Sequence, residues 1–267
     1  KADKICTRGN KATAVHFTDG SELTADYIVC AIEPEITFHS LMGRKLPTRL
    51  KKQYADPKLK RFSAYQSAFS CSVSNLDFHG DFIFELPPTY QKLLNTKRLI
   101  LREFSHEPTF APAGKTILQT LTFCDGENAK EWISLRRNKA AYRDAKLQLA
   151  EILETAIAEK FPRLRGDLHC LDVWTPATYE RYIGSKTGSF MSFVLPKNYL
   201  PTKLKSTVTG LKNVLLASQW QQSPGGLPTA AEMGKYAAAA IEKKERTRAH
   251  ANVLTSHSSK RKKRAIS

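Results

Sequence analysis

Between Asn213 and Ile241 the chain reads as a strand, a glycine turn and a helix, and this element constrains the fold more than any other. N-V-L-L-A-S has the composition of a buried strand, and Pro224-Gly225-Gly226 ends it. From about Thr229 to Glu245 an alanine-rich stretch follows with no breaker but Gly234. Paired glycines let a backbone come close to a flat or anionic ligand, and the helix N-terminus behind them presents N–H groups. Many α/β proteins carry such an element without a cofactor, so its spacing alone leaves a dinucleotide site open.

The rest of the chain sorts into three blocks. Residues 11 to 32 read as a β-hairpin turning at Asp19-Gly20, with Pro34 just past it. The unbroken apolar run Tyr27 to Ile32 implies cover on both faces, as in a parallel sheet. Lys45 to Lys60 is basic and reads as an exposed helix or loop. Ser63 to Val73, Asp81 to Leu86, Leu99 to Phe104 and Thr116 to Phe123 are strand-like and predict a largely antiparallel sheet. Asn138 to Phe161 has helical periodicity through Leu149, Ile152, Leu153, Ala156 and Ile157, and residues 167 to 174 return to strand. An α/β pattern at both ends with an α+β block between predicts one domain assembled from the two ends and a second inserted into it. The expected limits are 1–40 and 205–243 for the first, 41–204 for the second, and a disordered basic tail over 244–267.

Composition excludes several classes. With 267 residues and 41% hydrophobic content the chain can bury a core, so global disorder is excluded. The longest apolar runs are six residues, against roughly 20 for a spanning helix, and no secretory signal opens the chain. Lacking an initiating Met, Lys1 is not expected to be the natural start. Five cysteines without a C-x-x-C pair read as reduced thiols, small core residues in a cytosolic protein, and predict no zinc. The seven histidines show no H-x-x-x-H or H-E-x-x-H pattern. The net charge of +17 includes nine Lys/Arg against two Glu from Glu242 onward. The run K-R-K-K-R could bind nucleic acid, serve as a nuclear address, attract anionic lipid, or simply be a solvated tail.

Four collinear passages make the reading more specific. G-L-K-N-V-L-L-A-S-Q-W-Q-Q-S-P-G-G-L-P-T-A-A-E-M-G-K-Y-A-A-A-A-I resembles the C-terminal flavin-binding segment of phytoene desaturase-like FAD-dependent oxidoreductases. That group includes retinol saturase relatives and is akin to the amine oxidases. D-G-S-E-L-T-A-D-Y-I-V-C-A-I-E-P, S-H-E-P-T-F-A-P-A-G-K-T and W-T-P-A-T-Y-E-R-Y-I-G-S-K-T-G-S-F resemble the same group in the same order. The resemblance implies a partial, Rossmann-like FAD-binding domain of the amine oxidase/glutathione reductase type at the two chain ends, with a mixed-sheet substrate domain inserted.

By the same resemblance, Gln219 lies near the ribityl and pyrophosphate part of FAD. Gly225, Gly226, Leu227 and Pro228 lie against the isoalloxazine with backbone N–H groups toward its N1–C2=O edge. Ala2 to Ile5 contact the adenine, and Ala31 closes its strand beside the cofactor. Ser218 stands where such proteins commonly have glycine, which crowds the cofactor. No G-x-G-x-x-G turn occurs, so the chain looks like the C-terminal half of such a flavoprotein. Candidates for proton handling or substrate contact are Tyr179, Tyr182, Trp220 and Glu232, each with an ordinary packing or surface explanation. The expected substrate is an apolar isoprenoid or lipid-like molecule. The expected partners are a missing N-terminal half or separate subunit and an anionic membrane surface. Two alternatives stand beside this reading, a basic nucleic-acid-binding protein and a non-catalytic fragment that needs a partner chain.

Overall fold

The computed structural model describes the backbone of residues 1–124, 126–200 and 204–264. It divides into two compact units: an end unit of Lys1–Leu59 with Leu195–Ser267, and a central unit of Lys60–Val194. The division falls at 59/60 and 194/195, so residues 41–59 and 195–204 group with the chain ends and not with the inserted block.

The end unit starts with β1 (Ala2–Arg8), β2 (Lys11–Phe17) and β3 (Glu22–Thr24), an antiparallel sheet in that order. Asp19 shapes the second turn: its Oδ1 accepts from the Ser21 backbone N–H at 3.0 Å and the Ser21 hydroxyl at 2.6 Å. The predicted second hairpin arm is therefore two elements. Its first part is β3, and its apolar part is β4 (Ile28–Cys30), which leaves that sheet altogether. Further along, α1 (Thr48–Ala55) occupies the basic stretch and buries Leu50.

The central unit is built on β5 (Ser63–Ser72), β6 (Asp81–Glu85), β7 (Arg98–Glu103), β8 (Lys115–Cys124) and β9 (His169–Trp174). These pair antiparallel in the order β6-β7-β8-β5-β9. The helices are α2 (Pro88–Leu94), α3 (Gly126–Leu135), α4 (Lys139–Lys160) and α5 (Pro176–Ile183). Asn138 caps α4, its Oδ1 accepting from Ala141 N–H at 3.2 Å, a contact whose loss costs about 1 kcal/mol. Leu149, Leu153, Ala156 and Ile157 pack with Phe69, Leu99, Leu101 and Leu118 into one core, so the sheet turns alternate side chains into it and the remainder away.

Back in the end unit, β10 (Val214–Leu216) pairs parallel with β4, Ile28 opposite Val214 and Cys30 opposite Leu216. Asn213 fastens the two chain ends. Its Nδ2 donates to the carbonyls of Ala12 and Asp26, and its Oδ1 accepts from the Ala12 N–H at 2.8 Å. Val214 and Leu215 are fully buried, but Val29 in β4 is 46% exposed, so this strand lacks the second cover that its composition predicts.

The last element, α6 (Leu227–Arg264), runs through the expected disordered tail as far as Arg264, and residues 265–267 of that tail lie outside the described ones. The helix does not stop near Glu245, because Ala, Lys, Glu and Arg favour it and no Pro or Gly follows Gly234 before Arg264. Of the cysteines, Cys30, Cys71 and Cys124 are buried, whereas Cys6 is half-buried and Cys170 exposed, correcting the reading of all five as core. Burial pushes the Cys30 and Cys71 thiols up to about 11.

Candidate functional site

In parallel sheets ligands bind beyond the carboxyl ends of the strands. Here those ends are Cys30 and Leu216. Ala217 N–H donates to Cys30 O at 3.0 Å, and the pairing ends there, the chain continuing as Ala31 to Pro34 and Ala217 to Gln221. Ser218 caps a single 3₁₀ turn over Gln219–Gln221, its Oγ accepting from Trp220 N–H at 3.2 Å while its own N–H donates to Gln221 Oε1 at 2.7 Å. That cap engages the buried Ser218 hydroxyl within the protein.

Gly225 and Gly226 both have φ of +89°, a conformation that only glycine takes without strain. Gly225 O accepts from the Thr229 hydroxyl at 3.1 Å, and Gly226 O receives the first helical N–H, from Ala230, at 3.0 Å. Gly226 N–H donates to Gln219 Oε1 at 2.8 Å. This bond joins the 3₁₀ turn to the glycine pair and engages a donor that the resemblance had set toward the N1–C2=O edge of the flavin. Between them lies Ser223, 6% exposed, whose hydroxyl has no partner among the described residues. Leu227 opens α6 and is 87% exposed.

The remaining predicted residues of the end unit are placed differently. Ile5 is a core residue, packed with Ala12 and Ile28 and paired with Val15. Ala2 is half-buried on β1, an edge strand of its sheet, and Ala31 is exposed just past β4. Trp220 is buried, and Glu232 accepts from the Tyr236 hydroxyl at 2.7 Å along α6. Trp220 and Glu232 therefore have packing and helix-surface surroundings. Ser223 was overlooked; its place between the 3₁₀ turn and the glycines, directly before Pro224, was the available signal.

Tyr179 and Tyr182 belong to the central unit. Cross-strand register aligns Ile83, Ile100, Leu121, Gln66 and Trp174 in one row over all five strands, on the sheet face opposite the core. Ile83 is 59% exposed, and Ile100, Leu121 and Gln66 are half-buried. Tyr182 stacks on Trp174 with centroids 5.7 Å apart, and Tyr179 packs against Trp174 at 5.7 Å and Phe190 at 5.2 Å. Phe190 stacks in turn on Phe123. Tyr179 is buried, which raises its phenol above the ordinary range, and its hydroxyl donates to Gln66 Oε1. Among the described residues no cluster of His, Cys, Asp and Glu suits a metal, and no helix is long and apolar enough to cross a membrane.

Comparison with known proteins places this geometry. The family model described as "Flavin containing amine oxidoreductase" matches residues 3–242. A search of curated proteins finds no match. Among solved structures, an oxidoreductase from Methanosarcina mazei aligns with 13% identity and a TM-score of 0.51, covering 92% of this chain and 48% of that one. Cyclohexylamine oxidase from Brevibacterium oxydans aligns with 15% identity and a TM-score of 0.44, with the same coverage. This chain thus spans about half the length of these structures. The match to phytoene desaturase-like proteins narrows to their wider superfamily, and neither fold nor family favours a nucleic-acid-binding protein. The chain belongs to the flavin containing amine oxidoreductase family, and FAD is its cofactor.

Proposed function

We infer that the end unit holds the flavin edge of FAD at the carboxyl ends of β4 and β10, and that the protein oxidises or reduces an apolar isoprenoid or similar lipid-like molecule. FAD when bound supplies hydride transfer at its flavin ring. The residues present fit that group. Ser223 Oγ is a buried hydroxyl without a partner among the described residues, and such groups are costly unless a ligand or water satisfies them. Gly225 and Gly226 present backbone with no side chain in the way, and the first turn of the long helix α6 offers N–H groups and a partial positive charge. Gln219 holds this turn through Gly226, Leu227 and Pro228 open the helix beside it, and Ala31, just past β4, is assigned to the cofactor as well. On the edge strand β1, Ala2 and the backbone of Ile5 are assigned to the adenine.

The apolar row over the five-stranded sheet carries the substrate reading. A face of Ile83, Ile100, Leu121 and Trp174, extended by the aromatic series Phe123, Phe190, Tyr179 and Tyr182, suits an elongated hydrocarbon. We assign Tyr179 and Tyr182 to substrate contact and leave Trp220 and Glu232 structural. An element laid over the face of β4 that carries Val29, from an N-terminal half or a partner subunit, supplies the cover that Val29 lacks. The end unit holds 24 Lys/Arg against 10 Asp/Glu, the central unit 18 against 15, so attraction to an anionic membrane is assigned to the end unit.

The test is anaerobic mixing of the flavin-loaded protein with isoprenoids and, separately, with primary amines. Loss of visible flavin absorbance with an isoprenoid alone supports the substrate reading. Bleaching by amines alone overturns it.

A further inference from the structure

We propose that Gln66 is a specificity-determining residue, giving the apolar row across the sheet a hydrogen-bond donor that selects an isoprenoid carrying an acceptor oxygen over a pure hydrocarbon. The proposal rests on the apolar-substrate reading above and adds a requirement to it.

Register sets Gln66 in the middle of the row, opposite Leu121 on β8 and Trp174 on β9. Its amide cannot turn freely. Tyr179, buried and packed between Trp174 and Phe190, donates its hydroxyl to Gln66 Oε1. A phenol is protonated at neutral pH and burial raises it further, so it is the donor and Oε1 the acceptor. The two N–H groups on Nε2 are left with no partner among the described residues. The other donor in the row is spent, because Trp174 Nε1 donates to Asp172 Oδ2 at 2.9 Å. Ile83, Ile100 and Leu121 have none.

A hydrocarbon laid along the row would cover the Gln66 N–H groups and strip their water without replacing it. A ketone, aldehyde or alcohol oxygen at the same place satisfies them. Sites built to hydrogen-bond a substrate group reject analogues that lack it far more strongly than apolar pockets discriminate by size.

The experiment titrates the full chain with geranylacetone, an isoprenoid ketone, and farnesene, a hydrocarbon, following tryptophan fluorescence. A Trp174→Phe variant identifies the part of the signal that reports the row. The wild type should bind the ketone about tenfold more tightly than farnesene. Gln66→Leu should erase that preference while retaining farnesene. Gln66→Glu, which keeps an acceptor for Tyr179 but loses the donors, should also lose it, showing that the effect is not disturbed packing. Equal binding of the two ligands by the wild type, or a preference that survives in either Gln66 variant, overturns the role of Gln66 and leaves the apolar surface standing. If neither ligand moves the Trp174 signal, the apolar-substrate reading itself falls.

Discussion

Gln219 Oε1 accepts the backbone N–H of Gly226 at 2.8 Å, tying the turn after β10 to the glycine pair that opens α6. This bond, with those of Gly225 O and Gly226 O to the first turn of α6, holds the backbone on which the flavin assignment depends. Gln219→Ala should cost about 1 kcal/mol in a urea unfolding titration. It should also speed amide hydrogen exchange at Gly226. Gln219→Glu, which retains the acceptor, should restore most of the protection.

Gly188 has no room for a side chain. A Cβ there would lie 2.4 Å from the Pro176 carbonyl oxygen, with φ at +62°, and the Gly188 carbonyl accepts from the buried Ser63 hydroxyl at 2.6 Å. Gly188→Ala should lower stability by about 2 kcal/mol or more, read as a shift of the urea midpoint at unchanged slope.

Asp167 couples the end of β5 to β8. Burial pushes its carboxyl up, but hydrogen bonds from Ser72 N–H at 2.7 Å, Asn75 Nδ2 at 2.8 Å and Lys115 Nζ at 3.1 Å more than offset this, holding it well below the usual carboxylate range. A depressed pKa gives stability that is complete above the unfolded value of about 3.9 and is lost as pH falls toward the folded one. The stability gap between wild type and Asp167→Asn should therefore be constant near neutral pH and shrink below about pH 4. A gap that widens with acid would contradict the assignment.

Thr122 carries a buried hydroxyl with no hydrogen-bond partner among the described residues. Thr122→Val keeps the shape and removes the unsatisfied group. It should raise stability by about 1 kcal/mol, seen as a higher melting temperature.

Much of this was legible in the residues. The four predicted strands of the central sheet and the helix ending before Pro162 followed from period-2 and period-3.6 patterns, because both elements bury one face. Residues 22 to 30 were less legible, since local alternation cannot show that β3 and β4 pair with strands in different sheets. The glycine pair was visible in S-P-G-G, but not the Gln219 bond that engages Gly226, which depends on how the intervening turn folds. Gln66 was overlooked for a related reason. Its role emerges only when five strands come into register and align it with Leu121 and Trp174.

The central claim is that the Gly225-Gly226 turn and the start of α6 hold the flavin. The most direct measurement is the visible spectrum of the purified native gene product beside its Gly226→Val variant, with folding of both confirmed by circular dichroism. The account predicts oxidised-flavin bands in the native protein and their loss in the folded variant. A folded native protein without flavin bands, or a folded variant with undiminished ones, would contradict it.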